Sequence, residues 1–189
     1  LLASGNVPMC FNRAMETPLS KKAGADSKKP KNFCPVSLLP YKAKILERQV
    51  SRALTEFLES QTRLHPRQSS FCALHSTELA MLSVLDDLRL DVEVNKATGL
   101  ILLDLSAAFD TIDHTIVLHR MAASGTAGSA LLWTSSFFRD RSQKVHMGGL
   151  VLATKMLSCG VSQGSSLSPL LFNIYLQPLI AAPDQLECK

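Results

Sequence analysis

Apolar residues return along this chain with different periods, and each period predicts its own kind of element. Between Lys42 and Ser60, the residues Leu46, Val50, Ala53, Leu54, Phe57 and Leu58 recur at helical spacing with Lys, Arg and Glu between them, which predicts an amphipathic helix. A second helix is expected after Ser76 and Thr77, which can cap it. Its stripe of Met81, Val84, Leu85 and Leu88 would face the core, with Asp86, Asp87 and Arg89 turned outward. The run Gly99-Leu-Ile-Leu-Leu-Asp104 breaks this rhythm. It is apolar, unbroken and ends in an acid, so it reads as a buried strand over 99–105 whose end emerges at a sheet edge. Ile116, Val117, Leu118 and Met121 predict a helix across that sheet, ended by Gly125 and Gly128, and Ala130, Trp133, Phe137 and Phe138 mark further helical turns. Gln143 to Met147 and Leu150 to Ala153, joined by Gly148-Gly149, read as a β-hairpin. Leu167, Leu170, Leu171 and Ile174 then fall at i, i+3, i+4 and i+7 of a last helix, with Ser165 or Ser166 as cap and Pro169 tolerated in its first turn.

Residues 1–33 lack either period. Gly5, Pro8, Pro18, Gly24 and Pro30 predict loop with at most short extended pieces, so 1–33 reads as a basic, loop-rich segment ahead of a main unit at 34–189. Its Lys21, Lys22, Lys28, Lys29 and Lys31 suit either a phosphate backbone or plain solvent. Charge adds little to that choice: a net charge of +4 and a pI near 8.9 are compatible with nucleic acid but common among other proteins. At 189 residues and 46% hydrophobic content the chain has enough material for one globular core. The five cysteines are scattered, without a close pair at metal-ligand spacing, which suggests a reduced, intracellular chain without a zinc site. No apolar run reaches the roughly 18 residues that a bilayer span requires. The first residue is Leu1, and both ends read as cuts in something longer.

The acid at position 104 is the first candidate for chemistry. A carboxylate at the end of a buried strand must be paired, hydrogen-bonded or bound to a cation, because an unpaired buried charge is too costly to keep. An ordinary strand followed by a helix-capping acid accounts for it equally well. A second stretch, Cys159-Gly-Val-Ser-Gln163-Gly164-Ser-Ser-Leu-Ser-Pro169, is a glycine-flanked turn opening an apolar helix.

In this order and spacing, the stretches 99–114 and 159–175 resemble motifs A and B of the reverse transcriptase of LINE-type non-LTR retrotransposons. Lys31-Asn-Phe-Cys-Pro-Val-Ser-Leu-Leu-Pro40 and Gln68-Ser-Ser-Phe-Cys-Ala-Leu-His-Ser-Thr77 extend the likeness over nearly the whole chain. The resemblance implies an α+β fold, the fingers and partial palm of a right-hand polymerase, with helices packed on a small antiparallel sheet. It implies nucleotidyl transfer by two Mg²⁺ ions, with an RNA template, a DNA primer and deoxynucleotide triphosphates as partners. Asp104 would be the catalytic carboxylate and would share metal binding with the backbone carbonyl of Leu105, since Mg²⁺ prefers hard oxygen ligands. Phe109 would be the steric gate that crowds a ribose 2′-OH, and Gln163 and Gly164 would lie against the templating base pair. Asp110 and Asp113 read as helix caps or partners of nearby basic groups.

The sequence also departs from this family. The further aspartate pair, usually in a Tyr-Ala-Asp-Asp turn after the motif B helix, is absent: Tyr175 is followed by Gln-Pro-Leu-Ile-Ala-Ala-Pro-Asp184. Cys34 and Cys72 stand where arginine is usual, and the arginine at the second position is the one expected to meet the triphosphate. Ser70 and Ser168 stand at glycine positions, and Ser162 at a proline position. Each of these changes can arise from one C-to-T or G-to-A event, which suggests a decayed copy, inactive by itself. The alternative is a non-catalytic nucleic-acid-binding or interaction remnant. A phosphoesterase using Asp104 and Asp110 is disfavoured, because no glycine-rich phosphate loop is present.

Overall fold

The computed structural model describes residues 4–24, 26, 29 and 32–181. The elements run β1 (Arg13–Ser20), β2 (Phe33–Leu38), α1 (Tyr41–Ser60), α2 (Thr77–Glu93), α3 (His114–Ala123), α4 (Gly128–Phe138), β3 (Ser142–Met147), β4 (Leu150–Val151), β5 (Lys155–Met156) and α5 (Ser168–Ala181). The predicted last helix forms the axis of the core: Leu167, Leu170, Leu171 and Ile174 are all buried, and they meet Leu54 and Leu58 of α1, Val117 and Met121 of α3, and Trp133, Phe137 and Phe138 of α4 in one cluster. The helix starts as its sequence dictates. Ser165 Oγ accepts from the backbone N–H groups of Leu167 and Ser168, at 3.2 and 3.3 Å, and Pro169 follows where a missing N–H costs nothing.

α1 forms over the expected stretch, and its buried residues include Glu47 as well as Leu54 and Leu58. Asp113 caps α3, Oδ1 accepting from the N–H groups of Thr115 and Ile116, and Ser76 caps α2 through a bond from Leu79 N–H. The Gly148-Gly149 hairpin joins β3 to β4 as predicted.

The sheet differs from expectation in two ways. It is mixed and not antiparallel, with order β2-β1-β3-β4 and β5 also on β3; β1 and β3 run parallel, with Arg13 opposite Ser142 and Glu16 opposite Val145. Four helices separate β1 from β3 in the chain, enough for the crossover that a parallel pair requires. Second, the segment read as loop contains β1, an eight-residue strand. Its signal is masked because one inward position is a glutamate, Glu16, and because Pro18 sits within it. The β3 partner covers only Arg13 to Glu16, so Pro18 lies beyond that ladder, where its missing N–H is tolerated.

The run over 99–105 does not form a strand. Leu100, Ile101, Leu102 and Leu103 are extensively exposed, 83% in the case of Ile101. An apolar run becomes a strand only where a neighbour supplies both a hydrogen-bond ladder and a cover, and none of the described strands pairs with this segment. The stripe of α2 fails for the same reason. The helix forms and is capped, but none of its residues is buried, Met81 and Leu85 among them.

Candidate functional site

The turn between β5 and α5 folds back onto the residues that precede α3. Gly160 N–H donates to the Ile112 carbonyl at 2.7 Å and Val161 N–H to that of Phe109 at 2.8 Å. Two glycines make this approach possible. Gly160 has φ +82°, and a Cβ there would stand 2.8 Å from the Asp110 carbonyl oxygen; Gly164 has φ +113°, and a Cβ there would meet the Ser37 carbonyl oxygen at 3.1 Å. The close approach at Gly164 is thus to the backbone of β2.

Gln163 lies at the centre of this junction. Its backbone carbonyl accepts from Ser37 N–H at 2.8 Å, its amide nitrogen donates to Asp110 Oδ1 at 3.4 Å, and its amide oxygen accepts from Cys34 Sγ at 3.3 Å. Phe109 is held between two rings, 5.0 Å from Phe172 of α5 and 6.2 Å from Phe71. The segment that carries Phe71 is itself docked on α5: Asn173 Nδ2 donates to the Ser70 carbonyl at 2.9 Å, and Gln68 Nε2 donates to Asn173 Oδ1 at 3.1 Å. The structure therefore brings Phe109, Asp110, Gln163, Gly164 and Cys34 into one wall.

Asp104 and Leu105 are not part of that wall through any bond. Both are exposed, and Asp104 has no hydrogen bond or ion pair among the described residues, so the buried carboxylate expected from the sequence is not what the fold presents. Nor do the described residues make a metal centre, since no group of three or more His, Cys, Asp or Glu side chains converges. Of the N-terminal lysines, Lys21 and Lys22 follow β1 on the surface and Lys29 pairs with Asp26 at 3.7 Å. Lys28 and Lys31 lie outside the described residues.

Beneath the wall is a buried polar network absent from the sequence reading. Arg141, 1% exposed, donates from Nη2 to Ser162 Oγ at 2.5 Å and from Nη1 to the Phe137 carbonyl at 3.4 Å, with its guanidinium 4.4 Å above the Phe137 ring. Glu47 Oε2 accepts from Ser165 Oγ at 2.7 Å and from Ser166 N–H at 3.1 Å. Ser37 Oγ donates to Glu16 Oε1 at 2.5 Å. Burial pushes both glutamates above the usual carboxylate range, against the opposing pull of these hydrogen bonds and of Arg141. One signal was legible: a Glu at position 47 inside an otherwise apolar helix face demands a partner.

His114 ties the turn to α3. Its Nε2–H donates to the Gly160 carbonyl at 2.7 Å while the ring stacks on Phe138 at 4.2 Å. Burial lowers its pKa first, with the Gly160 bond opposing. Because the folded value lies below that of a free imidazole, near 6.5, the stabilisation is complete above about pH 6.5 and is lost as pH falls below it, where the unfolded chain takes up a proton that the folded chain refuses. The stability gap between the wild type and His114→Gln, measured by urea unfolding, should therefore narrow between about pH 7 and pH 5. A gap independent of pH would rule out this account.

Residues of the two stretches 99–114 and 159–175 thus meet at one junction. The reverse transcriptase (RNA-dependent DNA polymerase) family matches residues 6–188, and the chain belongs to that family. It is 29% identical over 182 residues to the Retrovirus-related Pol polyprotein from type-1 retrotransposable element R2 of Popillia japonica, covering 96% of this chain and 25% of that protein. It is 32% identical over 146 residues to the RNA-directed DNA polymerase from mobile element jockey of Drosophila funebris, covering 76% of this chain and 16% of that protein. A third relative, the Probable RNA-directed DNA polymerase from transposon X-element of Drosophila melanogaster, is 26% identical over 154 residues, covering 82% of this chain and 17% of that protein. The chain thus spans a quarter or less of the length of these relatives.

Proposed function

We propose that this chain is the fingers and partial palm of a non-LTR retrotransposon reverse transcriptase, and that its 189 residues hold a template and nucleotide without joining nucleotides by themselves. The observation that carries this reading is the junction at Gln163. It joins a motif A residue (Asp110), a motif B turn and a fingers strand (Cys34 and Ser37) through direct hydrogen bonds. Such a wall suits a flat base pair, with Phe109 clamped between Phe71 and Phe172 so that its ring can act as a fixed steric limit. The family's ion is Mg²⁺, but the residues present do not fit a two-ion centre. Asp104 and the Leu105 carbonyl supply one carboxylate and one carbonyl, and no second acid converges on them among the described residues.

A primer-extension assay with an RNA template, DNA primer, deoxynucleotides and Mg²⁺, run beside Asp104→Asn, tests the reading. The expected result is no extension above the Asp104→Asn control, together with binding of the primer–template that weakens as salt rises. Extension that is lost in Asp104→Asn would overturn the inactivity, and failure to bind the primer–template would overturn the template-holding role.

A further inference from the structure

Two surfaces of this chain lack a cover, and they are opposite in charge. The first is α2. Met81, Val84, Leu85, Leu88 and Val92 fall at i, i+3, i+4, i+7 and i+11 of a helix that buries none of its residues, although an apolar stripe of this kind ordinarily packs against another element. Asp87 and Asp91, one turn apart, run along one edge of the stripe. With Glu78, Asp86 and Glu93 they give the helix five acids against one cation, Arg89, which pairs with Glu93 at 3.3 Å.

The second surface is the outer face of the sheet. Ala14 and Glu16 of β1 are buried, so the alternation of a strand turns Arg13 and Met15 outward. Register sets their neighbours on that face: Met15 lies between Leu38 of β2 and Lys144 of β3, and Ser142 lies between Arg13 and Met156 of β5. Leu38, Met15 and Met156 are exposed and line an open recess of about 750 Å³. Arg13 and Lys144 border the same recess without an ion-pair partner among the described residues, and Asp140 is the one acid in its lining.

We propose that α2 of one copy seats on the outer sheet face of a second copy, and that the exchange is reciprocal across a two-fold axis. Within one copy both surfaces stay exposed, and a helix laid on a sheet face covers the two at once. The α2 stripe lies over Met15, Leu38 and Met156, which brings Asp87 and Asp91 to Arg13 and Lys144. The spacings agree. Acids one helical turn apart have Cβ atoms about 5–6 Å apart, and two cations on adjacent strands, two residues out of step, stand about 8 Å apart, a difference that the long Arg and Lys stems absorb. A helix of 17 residues is about 25 Å long. Two such contacts cover about 1,000 Å² in total, the low end for a specific interface, so pairing is expected at tens of micromolar, and copies diluted to about 1 µM stand apart.

Sedimentation equilibrium of the full chain from about 1 to about 200 µM should show a monomer–dimer equilibrium. Two double variants separate charge pairing from general apolar association. Arg13→Glu with Lys144→Glu reverses the sheet face, and Asp87→Lys with Asp91→Lys reverses the edge of α2. Each variant alone should dimerise about tenfold more weakly, because like charges then meet at both contacts. Mixed one to one, they should recover a dimer holding one copy of each, because both contacts are again opposite in charge. If circular dichroism shows either double variant to be unfolded, the single changes Lys144→Glu and Asp87→Lys replace it. A chain that stays monomeric throughout, variants that pair as the wild type does, or a mixture that fails to recover would each overturn the proposal. So would a sheet face that takes a single-stranded oligonucleotide in place of a second copy, read as monomeric chains whose oligonucleotide binding is lost in the sheet-face variant.

Discussion

Arg141→Ala is expected to lower the unfolding free energy by about 3–5 kcal/mol, a large fraction of the roughly 5–15 kcal/mol that holds an ordinary domain together. Arg141 is a buried cation within electrostatic reach of Glu16 and Glu47, and the guanidinium itself is held below its ordinary pKa chiefly by burial, with the two glutamates opposing. Its removal takes the cation away from Glu16, leaves Glu47 only Lys44, frees Ser162 Oγ, and empties the space above the Phe137 ring. The loss has a pH signature. A carboxylate whose folded pKa is raised takes up its proton first in the folded state, so each glutamate costs stability as pH rises through the window above the ordinary glutamate value, near 4.5. The cost grows when the cation is gone. The deficit of Arg141→Ala should thus be largest near neutral pH and should shrink as pH falls toward 5. Urea unfolding followed by circular dichroism at several pH values measures both effects. A loss below about 1 kcal/mol at neutral pH would mean that the guanidinium is not what holds the glutamates.

Leu171→Ala is expected to cost about 3–5 kcal/mol, because the side chain is fully buried at the meeting point of α5 with the rest of the core and its neighbours can only partly close on the space left behind. Leu85→Ala on α2 makes the comparison informative. Both leucines belong to apolar stripes at helical spacing, yet Leu85 is 58% exposed, and its truncation should change stability by no more than about 0.5 kcal/mol. Similar losses at both positions would show that α2 is packed in solution.

Those two leucines also mark what a one-dimensional pattern can reveal. Helix periodicity and capping are local, so α1, α3, α5 and the caps at Ser76 and Asp113 were legible, as was the hairpin at Gly148-Gly149. Burial is a property of pairs of elements. The α2 stripe and the apolar run at 99–105 carry the composition of buried segments but meet no partner among the described residues, and they stay exposed. β1 is the converse: its sequence reads as loop because the inward position 16 is a glutamate, and only the sheet reveals that Ser37 satisfies it.

At the candidate site the motifs named Phe109, Gln163 and Gly164, and the fold brings those three together. Several residues that depart from the family pattern became part of the same fabric. Cys34 bonds the Gln163 amide, Ser162 accepts from Arg141, and Ser168 Oγ donates to the Ser162 carbonyl at 2.9 Å. A proline at 162 would have no side-chain hydroxyl to offer that guanidinium.

From the sequence alone came the family, the helices and the residues of two motifs, because each depends on identity and spacing along the chain. The tertiary structure alone decided that Arg141 is buried within electrostatic reach of two glutamates from distant elements, that the sheet pairs β1 with β3 in parallel, and that Asp104 stands in the open. Each of these depends on which segments end up side by side, and residue order does not encode that until backbone donors, charges and apolar surface have all been matched across the fold.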